Sequence, residues 1–173
     1  MYKYFVANEY VKDVFEIDLN NLKSMGKKVI LTDLDNTLVA SDVAEPTKEI
    51  LEFLNTAKAL GFEIYIVSNN NQGRVEKFAK NLGIEAHHSA LKPLRAKSSK
   101  ILKKYNPIEV VFIGDQMMTD ILVANRLGVY SISVTPVNFS ADETATKFNR
   151  KLEKLIIKGL KKRNLPVPLH ARS

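Results

Sequence analysis

The sequence predicts a doubly wound, Rossmann-like α/β fold, in which a parallel sheet lies between two layers of helices. Three segments rich in β-branched and apolar residues, at 27–33, 62–70 and 110–115, have the composition of strands buried on both faces. Segments with helical periodicity alternate with them along the chain. This repeated strand–helix order is typical of parallel sheets with right-handed crossovers, which gives a three-layer α/β/α architecture.

The helix after the first strand has the clearest end signals. Between residues 46 and 60, four apolar side chains fall on one helical face, namely Ile50, Phe53, Leu54 and Ala57. Pro46 suits the first turn of a helix, and Gly61 suits the position after its last residue. The other predicted elements, in chain order, are a helix at 72–82, a short strand at 85–90, a helix that ends before Pro107, a helix at 119–128 and a strand at 129–135.

The composition excludes several classes of protein. The chain has no cysteine, which excludes disulfides, thiolate metal sites and cysteine nucleophiles. The N-terminal segment lacks the apolar stretch of a signal peptide, and no apolar run approaches the ~20 residues that a membrane span requires. We therefore expect a soluble, cytoplasmic protein whose residues 1–173 form a single domain.

The excess positive charge lies in one segment. The net charge of the chain is +7, yet residues 144–173 alone contain nine Lys and Arg and a single acid, Glu153. We predict a basic amphipathic helix over about 144–163, whose apolar face packs on the domain through Phe148, Leu152, Leu155, Ile156 and Leu160. Its basic residues, Arg150 among them, are expected to face solvent. There they could also adhere to an anionic membrane surface.

Polar side chains follow four of the predicted strands, at the edge where ligands bind in doubly wound sheets. They are Asp33, Asp35, Ser68, Asn69, Lys92 and Asp115. Carboxylates gathered at one edge repel each other unless a cation or a proton intervenes. An oxygen-only ligand set favours Mg²⁺ over zinc. With a cation in place, one carboxylate is free to act as a nucleophile while the other groups hold a phosphoryl group.

Four short segments resemble the four motifs of the haloacid dehalogenase (HAD) superfamily, in the expected order. They are DLDNTL at 33–38, IVSNN at 66–70, LKP at 91–93 and GDQMMTD at 114–120. The segments at 8–17, 124–132 and 146–156 extend the resemblance to the YqeG-type phosphatases of subfamily IIIA. That group is similar to mitochondrial and chloroplast phosphatases that act on phosphatidylglycerophosphate.

The resemblance implies a role for each of four aspartates. Asp33 would attack phosphorus and form an aspartyl-phosphate. Asp35 would protonate the leaving alcohol, then activate water, and would bind Mg²⁺ through its backbone carbonyl. Asp33 and Asp115 would ligate the same Mg²⁺, and Asp120 would complete the metal site by orienting Asp115 or a coordinated water.

The same resemblance implies that Lys92, Ser68 and the Asn69 amide bind the phosphoryl oxygens. Each assignment has a structural alternative. Asp33, Ser68 and Asp120 could instead cap helices, and Lys92 could be an ordinary surface lysine. For Arg126 the sequence leaves both packing and substrate contact open.

The spacing of the motifs leaves no room for the cap domain that many HAD phosphatases use for specificity. Residues 39–61 hold a loop and one predicted helix, and residues 70–91 hold one helix and one strand. We therefore predict an open site, which resembles that of capless family members acting on large substrates.

These observations support three hypotheses about function. The first is a Mg²⁺-dependent phosphomonoesterase acting on phosphatidylglycerophosphate, with peripheral contact at the inner membrane surface. The second is the same chemistry on nucleic acid ends, against which the chain lacks interleaved aromatic and basic residues. The third is a non-catalytic receiver-like module, which would need its phosphoacceptor aspartate where the second strong strand instead ends in Ser68. The sequence leaves the oligomeric state open.

Overall fold

Six parallel strands form one sheet in the computed structural model, which describes residues 2–80, 82–90, 96–138 and 144–172. The strands are β1 Glu9–Val11, β2 Val29–Thr32, β3 Glu63–Val67, β4 Glu85–His87, β5 Val110–Gly114 and β6 Tyr130–Val134. Their spatial order is β1-β6-β5-β2-β3-β4. After β1, which lies at one edge, the chain fills the sheet outward from β2 in one direction and then outward from β5 in the other. The switch point therefore lies between β2 and β5, where a doubly wound sheet opens a crevice for ligands.

Six α-helices connect and flank the strands in the described parts of the chain. They are α1 Leu19–Ser24, α2 Lys48–Ala59, α3 Gln72–Ala79, α4 Ala96–Leu102, α5 Leu122–Leu127 and α6 Thr144–Lys161. A π-helical turn, Met117–Ile121, leads directly into α5. The predicted fold class, a doubly wound parallel sheet with helices, is confirmed.

The boundaries of two helices differ from the prediction. Thr47 caps α2 by accepting the N–H of Ile50, so Pro46 lies before the cap rather than in the first turn. Helix α3 ends at Ala79 instead of residue 82, because Lys80 leaves the helical region of backbone conformation.

Two elements near the N-terminus, β1 and α1, have no counterpart in the sequence prediction. Strand β1 is three residues long and pairs with β6 at one edge of the sheet. Helix α1 has six residues and is capped by Asp18, whose carboxylate accepts the N–H of Asn21. Segments this short contain too few residues to show a hydrophobic period.

The central strands bury side chains on both faces of the sheet. On β2, Ile30 packs into the hydrophobic cluster that includes α2 and α3, whereas Val29 and Leu31 pack into the cluster on the opposite face. Because successive side chains of a strand point to opposite faces, both sets must be apolar when helices cover both sides. This explains why the strand segments are continuous apolar runs.

Helix α6 packs on the domain by only part of the predicted face, which includes Ile156 and Leu160. Leu160 is fully buried, but Phe148 and Leu155 are 62% and 63% exposed, so the prediction that they dock on the domain is wrong. The buried stripe of the helix instead includes the charged residue Glu153, which an apolar pattern cannot predict. Among the described residues, no helix combines the length and hydropathy needed to cross a bilayer.

Candidate active site

Three aspartates converge at the switch point of the sheet. Asp33 directly follows β2, Asp115 directly follows β5, and Asp120 lies in the π-helical turn. Each offers a carboxylate oxygen, and these oxygens lie within 4.8 Å of one another. All three residues are buried. We refer to Asp33, Asp115 and Asp120 as the aspartate cluster.

The cluster has strong electrostatic consequences for Asp115. Burial raises the pKa of the Asp115 carboxyl well above its usual range, because a charged group loses its hydration there. The guanidinium of Arg150 opposes this shift, and the neighbouring charges of Asp120 and Asp33 add to it. Such a carboxyl group gains from a cation that replaces its lost hydration.

Gly114 allows Asp120 to reach the cluster. A Cβ atom at position 114 would clash with the side chain of Asp120, so the close approach requires glycine at the end of β5. The carboxylate of Asp120 also accepts the N–H of Gln116 at 3.0 Å, which closes the turn. It does not cap α5, because Ile121 occupies that cap position and makes no side-chain hydrogen bond there.

Thr37 connects two members of the aspartate cluster. Its hydroxyl oxygen lies 3.2 Å from Oδ1 of Asp115 and 3.4 Å from Oδ2 of Asp33. A hydroxyl has one proton, so it donates to one of these two carboxylates at a time. Thr37 has no predicted role, although it lies inside the first motif.

The side chain of Asp35 lies outside the cluster and has its own partners. Asn70 donates through Nδ2 to Oδ2 of Asp35 at 3.1 Å. Arg74, on α3, donates through Nε to Oδ1 at 3.1 Å, and its Nη2 lies 2.9 Å from the same oxygen. Sequence reasoning missed Arg74, because a single arginine on a helix is usually a surface residue. Ligation of a metal by the Asp35 backbone carbonyl stays a prediction.

The predicted phosphate-binding residues have three different outcomes. Ser68 is buried at the end of β3, and its hydroxyl accepts the N–H of Asn70 at 3.1 Å. It does not cap α3, whose cap is Asn71. Asn69 is exposed beside it. Lys92 lies outside the described residues, so its place near the aspartates stays a prediction.

Arg150 and Glu153 bring α6 into the site. The guanidinium of Arg150 forms an ion pair with the Asp115 carboxylate, and Nη1 also donates to the Asp115 carbonyl at 3.3 Å. The same Nη1 lies 3.1 Å from Oε2 of Glu153. Arg150 therefore faces the site, and the prediction that it faces solvent is wrong. Arg126, by contrast, is exposed on α5.

Glu153 binds the turn that carries two of the aspartates. Its Oε1 accepts the N–H of Met117 at 2.5 Å and the N–H of Met118 at 3.3 Å. Burial raises the pKa of Glu153, and the guanidinium of Arg150 and the two N–H donors oppose that shift. Sequence reasoning missed both residues, because they lie about thirty positions beyond the last motif.

The donor set of the aspartate cluster fits a hard divalent cation. In the described part of the chain the cluster consists of carboxylates, with neither histidine nor cysteine among them. Mg²⁺ prefers oxygen ligands and is commonly held by one or two carboxylates. Asp33, Asp115 and Asp120 are therefore the residues that could hold Mg²⁺.

A model of haloacid dehalogenase-like hydrolases matches residues 4–128, which contain all four motifs and the aspartate cluster. The chain belongs to this hydrolase family. A Bacillus subtilis protein named probable phosphatase YqeG is 42% identical over 166 residues, which cover 93% of this chain and 94% of that protein. The resemblance to HAD phosphatases of YqeG type is therefore confirmed, and the chain is a hydrolase of the phosphatase class.

Two more distant similarities add information. The phosphatidylglycerophosphate phosphatase 1 of Arabidopsis thaliana is 24% identical over 86% of this chain, which spans 46% of that longer protein. The 3-deoxy-D-manno-octulosonate 8-phosphate phosphatase of Moraxella catarrhalis, crystallised with magnesium and phosphate, superimposes with a TM-score of 0.53. The superposition covers 82% of this chain and 92% of that one at 20% identity, so it supports the fold alone.

Proposed function

We propose that the protein is a Mg²⁺-dependent phosphomonoesterase that forms an aspartyl-phosphate on Asp33. The observation that carries this proposal is the meeting of three buried carboxylates at the switch point of the sheet. Asp33 and Asp115 would hold Mg²⁺ together with the backbone carbonyl of Asp35, and Asp120 would complete the site by orienting Asp115 or a coordinated water. The bound cation would neutralise the charge of the carboxylates and of the phosphoryl group.

The proposed reaction has two steps that share Asp33. In the first, a carboxylate oxygen of Asp33 bonds to phosphorus while the bond between phosphorus and the ester oxygen breaks, and Asp35 gives its proton to the leaving alcohol. In the second, Asp35 takes a proton from water as the water oxygen bonds to phosphorus. The bond from Asp33 to phosphorus then breaks and releases inorganic phosphate. Ser68, Asn69 and Lys92 would bind the phosphoryl oxygens throughout.

We infer that the substrate is a lipid phosphate, with phosphatidylglycerophosphate as the specific candidate. The similarity to the Arabidopsis enzyme of that name supports this choice. The connections around the site support it too, because residues 33–47 lead from β2 to α2 without a helix or named strand of their own. A large substrate would then cover the side of the site that this connection leaves open.

An apolar groove beside the first motif also suits such a substrate. It has a volume of about 470 Å³ and is lined by Leu38, Val39, Val43, Phe15 and Val137, among others. This volume is in the range of small-molecule sites, roughly 300–1,000 Å³. Leu38 lines the groove, while its neighbour Thr37 contacts the aspartate cluster. An apolar part of the substrate could therefore lie close to its reacting phosphate.

The outer face of α6 supports peripheral contact with anionic lipid. Phe148 and Leu155 are exposed on the same face as Lys151 and Lys158, with Lys154 beside them. Apolar side chains next to lysines favour the interface of an anionic membrane, where each lysine near the surface contributes about 1 kcal/mol. The contact would be peripheral.

A substrate comparison tests this proposal. Wild-type protein with Mg²⁺ should release phosphate from phosphatidylglycerophosphate in mixed micelles with a higher kcat/KM than from end-phosphorylated oligonucleotides. Preference for the oligonucleotides would support the nucleic acid hypothesis and contradict the lipid one. No phosphate release from any ester, including a generic aryl phosphate, would contradict the enzymatic proposal and leave the receiver-like module.

A further inference from the structure

The inward face of α6 carries two charged residues that lie beyond the four motifs and beyond the residues matched by the family model. The family model ends at residue 128, whereas Arg150 and Glu153 lie on the following helix. The Arg150 side chain is only 12% exposed, and that of Glu153 is buried. Burying two charged side chains is costly unless each is paired and hydrogen-bonded. The partners of Arg150 and Glu153 therefore indicate the role of these two residues.

Both carboxylate oxygens of Asp115 have a protein partner. Oδ1 lies within hydrogen-bond distance of the Thr37 hydroxyl, and Oδ2 is paired with Nη2 of Arg150. Arg150 also binds the backbone carbonyl of Asp115 through Nη1. A planar guanidinium that contacts both the carboxylate and the backbone of one residue restricts the rotation of that carboxylate. Each carboxylate oxygen has a second lone pair, so Asp115 can still bind a cation.

Glu153 fixes Arg150 and the turn relative to each other. One of its carboxylate oxygens pairs with Nη1 of Arg150, and the other accepts the N–H groups of Met117 and Met118. Those N–H groups belong to the turn that leads from Asp115 to Asp120. Helix α6 is thus attached to this turn at its backbone and at one of its carboxylates.

We propose that Arg150 is a positioning residue, which sets the orientation of the Asp115 carboxylate within the aspartate cluster, and that Glu153 holds Arg150 in place. The proposal rests on the proposed function of the cluster as a cation site. In metal sites, residues that orient the ligands typically affect metal affinity or activity 10- to 100-fold. Arg150 would act in this way from a segment outside the four motifs.

Arg150 affects cation binding in two opposite ways, through its charge and through the orientation of Asp115, and this allows a sharp test. The positive charge of Arg150 repels a divalent cation, so removing the charge alone would strengthen cation binding. Losing the orientation of Asp115 would weaken it. Arg150→Lys retains the charge and loses the planar fork, so any weaker binding by this variant reports the lost orientation. Glu153→Gln leaves Arg150 unchanged and tests the same arrangement from the other side.

The experiment measures Mg²⁺ binding by isothermal titration calorimetry without substrate, and kcat and KM on a soluble aryl phosphate. Arg150→Lys should raise the Kd for Mg²⁺ about 10-fold or more and lower kcat, with KM changed less than about 2-fold. Glu153→Gln should also raise the Kd for Mg²⁺ and lower kcat, but by smaller factors. The matched control is Arg163→Met, which removes an arginine that contacts the Tyr2 ring and the Gly159 carbonyl. It should bind Mg²⁺ like the wild type.

Three outcomes would overturn this proposal. A folded Arg150→Lys variant with wild-type Kd and kcat would show that the guanidinium does not orient Asp115. A rise in KM alone would make Arg150 a substrate contact instead. If Arg163→Met lost as much Mg²⁺ affinity and kcat as Arg150→Lys, α6 would act only through general stability. Thermal melting of all the variants would then show matching losses of stability. A wild-type protein that binds no Mg²⁺ would contradict the proposed function itself, and this result is distinguishable from the other three.

Discussion

Two arginines hold two aspartates of the site, and they do so in different surroundings. Arg74 contacts Asp35 from α3, and the Asp35 side chain is 18% exposed. Arg150 reaches Asp115 from α6, where the aspartate side chain is fully buried. We call the part of the site around Asp35 and Arg74 the open side, and the part around Asp115 and Arg150 the closed side. A group that exchanges protons with an alcohol and with water benefits from an open position, whereas a group that holds a cation benefits from burial.

Asp33 is a member of the aspartate cluster and the proposed nucleophile, so its loss should have the largest effect. Asp33→Asn should lower kcat by at least about 10³-fold, because it removes the proposed nucleophile and keeps the shape. The melting temperature in EDTA should be unchanged or higher, since the substitution relieves repulsion within the aspartate cluster. The assay is phosphate release from an aryl phosphate, with melting followed by circular dichroism. Retained turnover would contradict the covalent mechanism.

On the closed side, Mg²⁺ should be essential, and EDTA should abolish activity. Asp115→Asn should raise the Mg²⁺ concentration for half-maximal activity by about 10-fold or more, and more than Asp120→Asn does. The reason is that Asp115 is proposed as a direct ligand, whereas Asp120 also closes the turn through Gln116. A larger effect in Asp120→Asn would exchange the two roles.

On the open side, the effect should depend on the leaving group. Asp35→Asn should slow the cleavage of alkyl phosphates by about 10²-fold or more and affect aryl phosphates less. An alcohol of high pKa needs a proton in the transition state, and a phenolate needs it less. Steady-state rates on a series of esters give the comparison. An equal loss across the series would remove Asp35 from the acid role.

On the closed side, the stability of the protein should depend on pH through Asp115. Burial raises the pKa of Asp115, so its contribution to stability is present below its unfolded pKa and is lost as the pH rises through its folded pKa. In EDTA, Asp115→Asn should therefore become more stable relative to the wild type as the pH rises above about 4, the usual pKa of an aspartate. Mg²⁺ should reduce this difference by stabilising the wild type. Melting temperatures that differ by a constant amount across the range would contradict the raised pKa.

The smallest effect on chemistry should come from the outer face of α6. Replacing Lys154, Lys158, Lys161 and Lys162 by Gln should leave turnover of a soluble aryl phosphate unchanged and weaken co-sedimentation with anionic vesicles. High salt should weaken the binding of wild-type protein in the same way, because surface charges are screened. Wild-type protein that ignores anionic vesicles at low salt would contradict the membrane contact.

The sequence predicted the fold and the meeting of Asp33 with Asp115 because both depend on short patterns. Continuous apolar strands, glycines after helices and acids at strand ends place Asp33 and Asp115 at one edge of a parallel sheet. Arg74 and Arg150 could not be predicted this way, because helical periodicity assigns charged side chains to the solvent face. Their burial depends on which face of α3 or α6 meets the loops, and that is decided by packing across distant parts of the chain.

The central claim is that Asp33 carries the phosphoryl group, and acid quenching during turnover tests it most directly. Wild-type protein with Mg²⁺ and a radiolabelled phosphate ester should retain label after quenching, and mass spectrometry should locate the phosphoryl group in the peptide that contains Asp33. Hydroxylamine should remove the label, as it does from acyl phosphates. Asp33→Asn should retain none. Active wild-type protein without label on Asp33, or equal labelling of Asp33→Asn, would contradict this mechanism.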